Sequence, residues 1–312
     1  STAEGRHCPP KWKFTGGASI FILSHVVSKQ MRSRISKHLL ASLSLLSGLF
    51  LSACSSPNPT SPAVNFGHVH GIVDLGGGDI LLGTHSGIYT INEEGDVAGP
   101  IGGNDFDAMG ISGDEKTLYA SGHPGPNTDA QLGTPNLGII RSDDEGENWS
   151  PVSFTGAEDF HVLTVGPNNS LYGIGSGSLA LRVSLNGGQT WQNKSKIEAV
   201  DLAATSDGAL FAATPEGLLV SEDKGTSFTP IKGAPLLYTI CSMPEDGLIG
   251  VDVNGVLWKM SDQKWQQFGS SHGTVQALLE LESGAVALVD ERGVVLLKDS
   301  KAEVLYRPAS SP

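Results

Sequence analysis

Basic residues, cysteine and helical periodicity are what this sequence has least of. Twenty Lys and Arg stand against thirty-three Asp and Glu in 312 residues, a net charge of −13. So acidic a chain repels phosphate backbones and has no basic patch to track them, which excludes nucleic acid as a partner. The three cysteines are Cys8, Cys54 and Cys241. No Cys-x-x-Cys pair occurs, no disulfide is expected, and the fold must rest on its own apolar core. A Gly-rich phosphate loop and a Gly-x-Ser-x-Gly elbow are both missing. After Cys54 no stretch shows convincing helical spacing, and the 40 glycines of the chain punctuate short apolar runs throughout.

What is there begins with a leader. The chain opens at Ser1, and the first credible start is Met31. Residues 1–30 read as upstream sequence. After Met31 come Arg32, Arg34, Lys37 and His38, then the apolar run Leu39–Phe50, then Leu51-Ser52-Ala53-Cys54. A basic head, a short apolar middle and small residues before a cut describe a secretory signal over 31–53. The run is too short to span a bilayer comfortably. Residues 54–65 form a Ser/Pro-rich tether, and 308–312 a short tail. Residues 1–53 hold seven of the basic and one of the acidic residues, so the exported part keeps 13 and 32, net −19. Such a surface suits cationic partners, metal ions or neutral sugars.

Between residues 66 and 307 the chain repeats itself. Ser142, Asp144, Gly146 and Trp149 recur as Ser184, Asn186, Gly188 and Trp191, and again as Ser221, Asp223, Gly225 and Phe228. The first serines lie 42 and then 37 residues apart, a period that marks a repeat architecture. A hydroxyl and a carboxylate or amide two positions apart can hold the amides of a tight turn, the glycine supplies an unusual backbone angle, and the aromatic tucks under the turn. Around each turn four short strands are legible. Blade one reads as His70–Leu75, Asp79–Gly83, Gly87–Asn92 and Asp96–Ile101, and five further repeats align with it. The expected fold is therefore an all-β propeller, six four-stranded blades needing about 240 residues. Counts of five or seven stay open, and residues 63–67 are placed to close the ring against the last blade.

A meander puts the turns between strands one and two and between three and four on one face, here the lower. The turns between strands two and three fall on the upper face with the links between blades. By this alignment all six histidines after Cys54 lie on the upper face: His68, His70, His85, His123, His161 and His272. Asp105 and Asp107 enter blade two there, Glu158 and Asp159 blade three, and Asp201 blade four. Imidazoles among carboxylates suit Zn²⁺ or Cu²⁺, so His68, His70, His85, His123 and His161 are the candidate metal ligands. The alternative is loop histidines that fix turns or hydrogen-bond a ligand; His70, His85, His123, His161 and Arg292 are the candidate ligand-binding set. A long passage, Ser121–Leu137, lies on the same face and reads as a binding loop or a tolerated insertion.

Four resemblances follow from these residues. Leu51-Ser52-Ala53-Cys54 resembles the lipobox of bacterial lipoproteins, which implies acylation of Cys54, insertion of that lipid in a bilayer and an extracytoplasmic domain. The Ser-x-Asp/Asn-x-Gly-x-x-aromatic turns resemble the Asp boxes, or BNR repeats, of sialidases and sortilins, where they are structural and remote from the active face. His70-Gly71-Ile72, Thr84-His85-Ser86-Gly87-Ile88-Tyr89, Ser121-Gly122-His123-Pro124 with Asn136-Leu137-Gly138, and Asp159-Phe160-His161 resemble a group of exported bacterial Asp-box propellers carrying a "glycosylhydrolase" label. A weaker likeness runs to photosystem assembly-factor propellers, which are binding proteins with an arginine-rich face.

Sialidases grip a substrate carboxylate with three arginines, and the exported part has only Arg141, Arg182, Arg292 and Arg307. Arg141 and Arg182 precede Asp-box turns and belong near the lower end, so a triad cannot be assembled. A glycoside hydrolase of another type needs two carboxylates, for which Asp105, Asp107, Asp159 and Asp201 are the candidates. The reading is a monomeric, lipid-anchored propeller that binds a metal ion, a glycan or a protein at its upper face. Glycoside hydrolysis by a carboxylate pair is the rival.

Overall fold

The computed structural model describes residues 64–308 apart from 115, 245, 246 and 300. Residues 1–63 lie outside it, and with them the leader, Cys54 and nearly all of the tether. Second strands of the repeats have the most continuously apolar or small sequences, Ile80-Leu81-Leu82-Gly83-Thr84 and Val286-Ala287-Leu288-Val289-Asp290 among them, and both are buried end to end. A strand with no solvent face must be covered on both sides. Fourth strands read the other way, as in Gln192-Asn193-Lys194-Ser195-Lys196, and lie at the rim. Buried second strands and polar fourth strands are what radially arranged sheets require.

Blade one comprises β1 (Val69–Asp74), β2 (Ile80–Thr84), β3 (Gly87–Ile91) and β4 (Val97–Ala98). Blade two comprises β5 (Asp107–Gly113), β6 (Leu118–His123), β7 (Ile139–Ser142) and β8 (Ser150–Ser153). In blade three these are β9 (Phe160–Gly166), β10 (Ser170–Gly175), β11 (Ala180–Ser184) and β12 (Gln192–Lys196). Blade four has β13 (Asp201–Ala204), β14 (Leu210–Thr214), β15 (Gly217–Ser221) and β16 (Thr229–Pro230). Blade five has β17 (Leu237–Ser242), β18 (Leu248–Asp252), β19 (Val256–Ser261) and β20 (Lys264–Ser270). Blade six ends the ring with β21 (Ala277–Glu280), β22 (Val286–Asp290), β23 (Gly293–Lys298) and β24 (Lys301–Tyr306). Each blade is a separate antiparallel sheet in chain order, so the count is six. The strands expected in blade one are present, displaced by about a residue, with the fourth cut to two residues. Among the described residues no helix is long and apolar enough to cross a membrane.

The core is distributed over the seams between blades. Six apolar clusters are found, each shared by two neighbouring blades; Tyr172 and Leu181 meet Leu202 and Leu210, for example, between blades three and four. Glycine on an inner strand lets neighbours approach at the axis. A Cβ on Gly71 would sit 2.7 Å from Cγ2 of Ile111 in blade two. Polar side chains add a tie at several seams. Ser112 accepts from the Val165 amide at 3.0 Å, Asp201 from that of Ile240 at 2.8 Å, the Tyr238 hydroxyl from that of Val275 at 2.8 Å, and Gln276 from that of Val69 at 2.8 Å.

Closure of the ring does not borrow a strand from the N-terminus. Instead Val64 and Phe66 pack onto blade six: the Tyr306 hydroxyl donates to the Val64 carbonyl at 3.0 Å, and the Phe66 and Tyr306 rings lie 5.2 Å apart. The three repeated turns sit between third and fourth strands. In the first, Ser142 donates to Asp144 at 2.8 Å and accepts from the Gly146 amide at 2.9 Å, while the Trp149 indole donates to the Gly146 carbonyl at 2.9 Å. Ser184, Asn186, Gly188 and Trp191 repeat this, as do Ser221, Asp223 and Gly225 without the indole bond. The aromatics reach the seams: Trp149 meets Phe106 edge-on at 5.5 Å, and Phe228 packs between blades three and four.

Candidate functional site

Inner strands of six blades enclose a central channel of about 730 Å³, lined at its upper mouth by His68, His70, Met109, His161 and Asp201. The histidines divide into two groups there. His68, His70 and His85 each offer a ring nitrogen, the three within 4.8 Å of one another. His123, Asp159 and His161 form a second set within the same limit. His272 belongs to neither, and its amide donates to Asp290 at 2.9 Å.

The first group is built by the start of β1 and the turn after β2. His68 and His70 are two apart on extended backbone and share a side, their rings 4.7 Å apart. His85 stands edge-on to His70, also at 4.7 Å. Asp107, at the start of β5, reaches across the seam. Its Oδ2 lies 2.9 Å from Nδ1 of His85, and its Oδ1 faces Nε2 of His70 at 3.7 Å. Both of those facing atoms are buried, and neither has a hydrogen-bond partner. Burial pushes the His70 imidazole down to about 4, the nearby His68 adding to it and Asp107 opposing it. Burial likewise lowers His68, with His85 adding to the effect.

The second group joins the end of β6 to the start of β9. Asp159 is 3% exposed. Burial alone would raise its carboxyl; a hydrogen bond from the Ser176 hydroxyl and the charges of His161 and His123 outweigh that and hold it below the usual range. Its Oδ2 lies 2.6 Å from Nε2 of His161 and 3.6 Å from Nε2 of His123. Despite the short approach, that oxygen makes no aligned hydrogen bond.

Other residues singled out in the sequence have different work. Asp105 accepts from Asn127 and Thr128 at 3.0–3.2 Å and so organises the passage between β6 and β7. Leu132 and Leu137 of that passage are buried in the seam between blades one and two, which makes it an anchored loop. Asp201 sits on the channel wall with both oxygens engaged, by Leu202 and Ile240 amides at 2.8 Å and by the Thr239 hydroxyl at 2.9 Å. Burial nonetheless pushes it up to about 6. Arg292 lies on the upper face as expected and is paired with Asp290 at 2.6 Å. Arg141 pairs with Asp143 in a lower turn, also at 2.6 Å. Arg182 corrects the sequence reading: its guanidinium reaches Oε2 of Glu158, on the upper link, at 2.7 Å.

Two participants were not read from sequence. Ser176 follows from no local motif. Met109 lines the mouth on the strand between those bearing His70 and His161, and its spacing from Asp107 was a signal. An irregularity in the β5–β6 register between Asp107 and Gly110 breaks the simple alternation that would have used it.

No family model matches this chain, and no curated protein does. Solved structures do. A Xanthomonas campestris gluconolactonase superimposes with a TM-score of 0.57 at 12% identity, over 74% of this chain and 86% of that one. The GH74 enzyme of Niastella koreensis gives 0.51 at 14% identity, over 73% of this chain and 41% of that one. YCF48 bound to a D1 peptide gives 0.48 at 14% identity, over 75% and 79%. At these identities the gluconolactonase and GH74 superpositions establish the fold alone. The chain is a β-propeller.

Proposed function

We propose that this protein is an exported, lipid-anchored propeller that binds a transition-metal ion, Zn²⁺ or Cu²⁺, at the mouth of blade one through His68, His70 and His85. One observation carries the reading. The buried His70 Nε2 and Asp107 Oδ1 face each other 3.7 Å apart, and neither has a partner. That gap is too long for a hydrogen bond. It suits a cation held between them at about 2.0–2.2 Å from each. Asp107 also holds Nδ1 of His85, which fixes the tautomer that leaves Nε2 free as a ligand, the usual carboxylate–histidine support of a metal site. Bringing all three imidazoles onto one ion asks for shifts of about an ångström, because donors on a tetrahedral ion lie about 3.4 Å apart.

Elemental analysis of untagged protein, before and after His70→Ala, tests this. Loss of about one equivalent of Zn or Cu per chain in the variant supports it; a metal-free protein that takes up neither ion on titration overturns it. The rival, glycoside hydrolysis, draws support from the raised carboxyl of Asp201. Both oxygens of Asp201 are held by protein donors, so it does not present a proton to the channel as a general acid must.

A further inference from the structure

We infer that His123, Asp159 and His161 form a second metal site, separate from the three-histidine site and of different chemistry. It is a two-histidine, one-carboxylate set that holds a divalent first-row ion and leaves positions open to water or a small anion. This goes beyond the proposed function, because different blades and different residues carry it.

The convergence on one atom is the starting point. Nε2 of His161 and Nε2 of His123 approach the same carboxylate oxygen, at 2.6 and 3.6 Å. Asp159 is nine-tenths buried and more, and that oxygen has no aligned hydrogen bond. Once the two Nε2 atoms are deprotonated, their lone pairs and the anionic oxygen are directed at one point and repel each other. An ion shared among them removes the repulsion and satisfies the buried oxygen.

The surroundings hold this arrangement in place. Phe160, between Asp159 and His161, is fully buried, and its amide donates to the Ser121 hydroxyl at 2.8 Å. Residues 159 and 161 therefore project together on extended backbone. Ser176 pins Asp159 twice, its hydroxyl donating to Oδ1 and its amide to the Asp159 carbonyl at 2.9 Å. That leaves Oδ2 for the site. Nδ1 of His123 lies 3.4 Å from the Pro135 carbonyl, so the anchored β6–β7 passage orients the ring with Nε2 inward. Metal-bound histidines are commonly supported in this way through their second nitrogen.

The donor set decides the class of ligand. Two imidazoles and one carboxylate on one side of an ion are the arrangement that leaves coordination positions free. The side chains of His123 and His161 are 44% and 51% exposed, so those positions face solvent at the upper mouth. A closed, four-ligand structural site would have no such opening.

The test is a Zn²⁺ titration of the full chain in detergent, followed by calorimetry, with Co²⁺ absorption as an independent readout of coordination. Two ions per wild-type chain are expected. His161→Ala, at an exposed position, should lose one ion, or weaken its binding at least a hundredfold, with thermal unfolding unchanged. Asp159→Asn should do the same, and His70→Ala should leave this ion in place. Co²⁺ at this site should give the weak absorption of five or six ligands, sharpened or shifted by added azide. Unchanged stoichiometry and affinity in His161→Ala would overturn the inference, and so would loss of both ions in His70→Ala. If His70→Ala had no effect while His161→Ala lost an ion, the three-histidine reading would fail and this one would stand.

Discussion

Asp107 is joined to His85 across the seam between blades one and two, with Oδ2 2.9 Å from Nδ1, while its other oxygen faces His70 at 3.7 Å. One carboxylate thus orients one imidazole and stands beside another. If blade one holds an ion, Asp107 acts on it through both. Removing such a partner typically costs 10- to 100-fold in metal affinity, and more where it also ligates. Asp107→Ala should therefore weaken Zn²⁺ binding at this site at least about tenfold in calorimetry. Asp107→Asn, which keeps an acceptor for His85 and loses the charge, should fall between. Wild-type affinity in both variants would show that Asp107 does no more than tie two blades together.

Asp201 makes a stability prediction whose sign is opposite to that of an ordinary paired carboxylate. Its carboxyl is raised to about 6 by burial, above the value near 3.9 of an unfolded chain. The folded state holds the proton more tightly than the unfolded state does. The resulting stabilisation is present below about pH 4 and is lost as pH rises through about 6. Asp201→Asn should flatten this part of the profile, from a baseline lowered at all pH values because the Asn nitrogen cannot accept from the amide it faces. Urea denaturation at pH 4, 5, 6 and 7 checks it; parallel profiles for the two proteins would contradict it.

Architecture was legible in the sequence because it is periodic. Ser142, Ser184 and Ser221 mark equivalent turns, and the buried second strands read as unbroken apolar or small runs. Spacing favoured six blades over five or seven, and the six separate sheets decide the count. At the site, a face could be assigned but not a pairing. Topology placed every histidine after Cys54 on the upper side. It could not divide them, because the division depends on which carboxylate crosses which seam: Asp107 toward blade one, Asp159 within reach of both His123 and His161. Asp105 shows the limit from the other side. It stands two residues from Asp107 in sequence and serves the β6–β7 passage instead. Arg182 was misplaced because a strand position fixes where a side chain starts; its length carries the guanidinium on to Glu158.

On the proposed reading, Cys54 decides where this chemistry takes place. The basic head and apolar run predict a cleaved secretory signal, and the likeness of Leu51-Ser52-Ala53-Cys54 to a lipobox implies cleavage before Cys54 and acylation of its thiol. A single acyl chain gives only marginal anchoring, so stable attachment there would need a second signal beside one chain. Cys54→Ser should shift the protein from the membrane pellet to the soluble fraction and abolish incorporation of labelled palmitate. An unlabelled wild-type protein would remove the anchor and leave the propeller reading untouched.

Ring closure sets how the six blades share stability. Each seam carries its own apolar cluster, so a propeller open at one seam would expose the facing sides of two blades. The closing seam lacks a shared strand; it relies on Phe66 against Tyr89 and Tyr306, at 5.1 and 5.2 Å, and on the Tyr306 hydroxyl exchanging hydrogen bonds with Val64 at 2.5 and 3.0 Å. Tyr306→Phe removes only the hydroxyl and should cost about 1–2 kcal/mol. Phe66→Ala empties a fully buried ring position and should cost about 3–5 kcal/mol. Because every blade depends on two neighbours, both losses should lower the midpoint of one cooperative transition in urea without changing its slope. A second, earlier transition in Phe66→Ala, seen as early loss of amide protection in β1 and β24 and absent from circular dichroism, would instead mean that the closing seam can open while the other five hold.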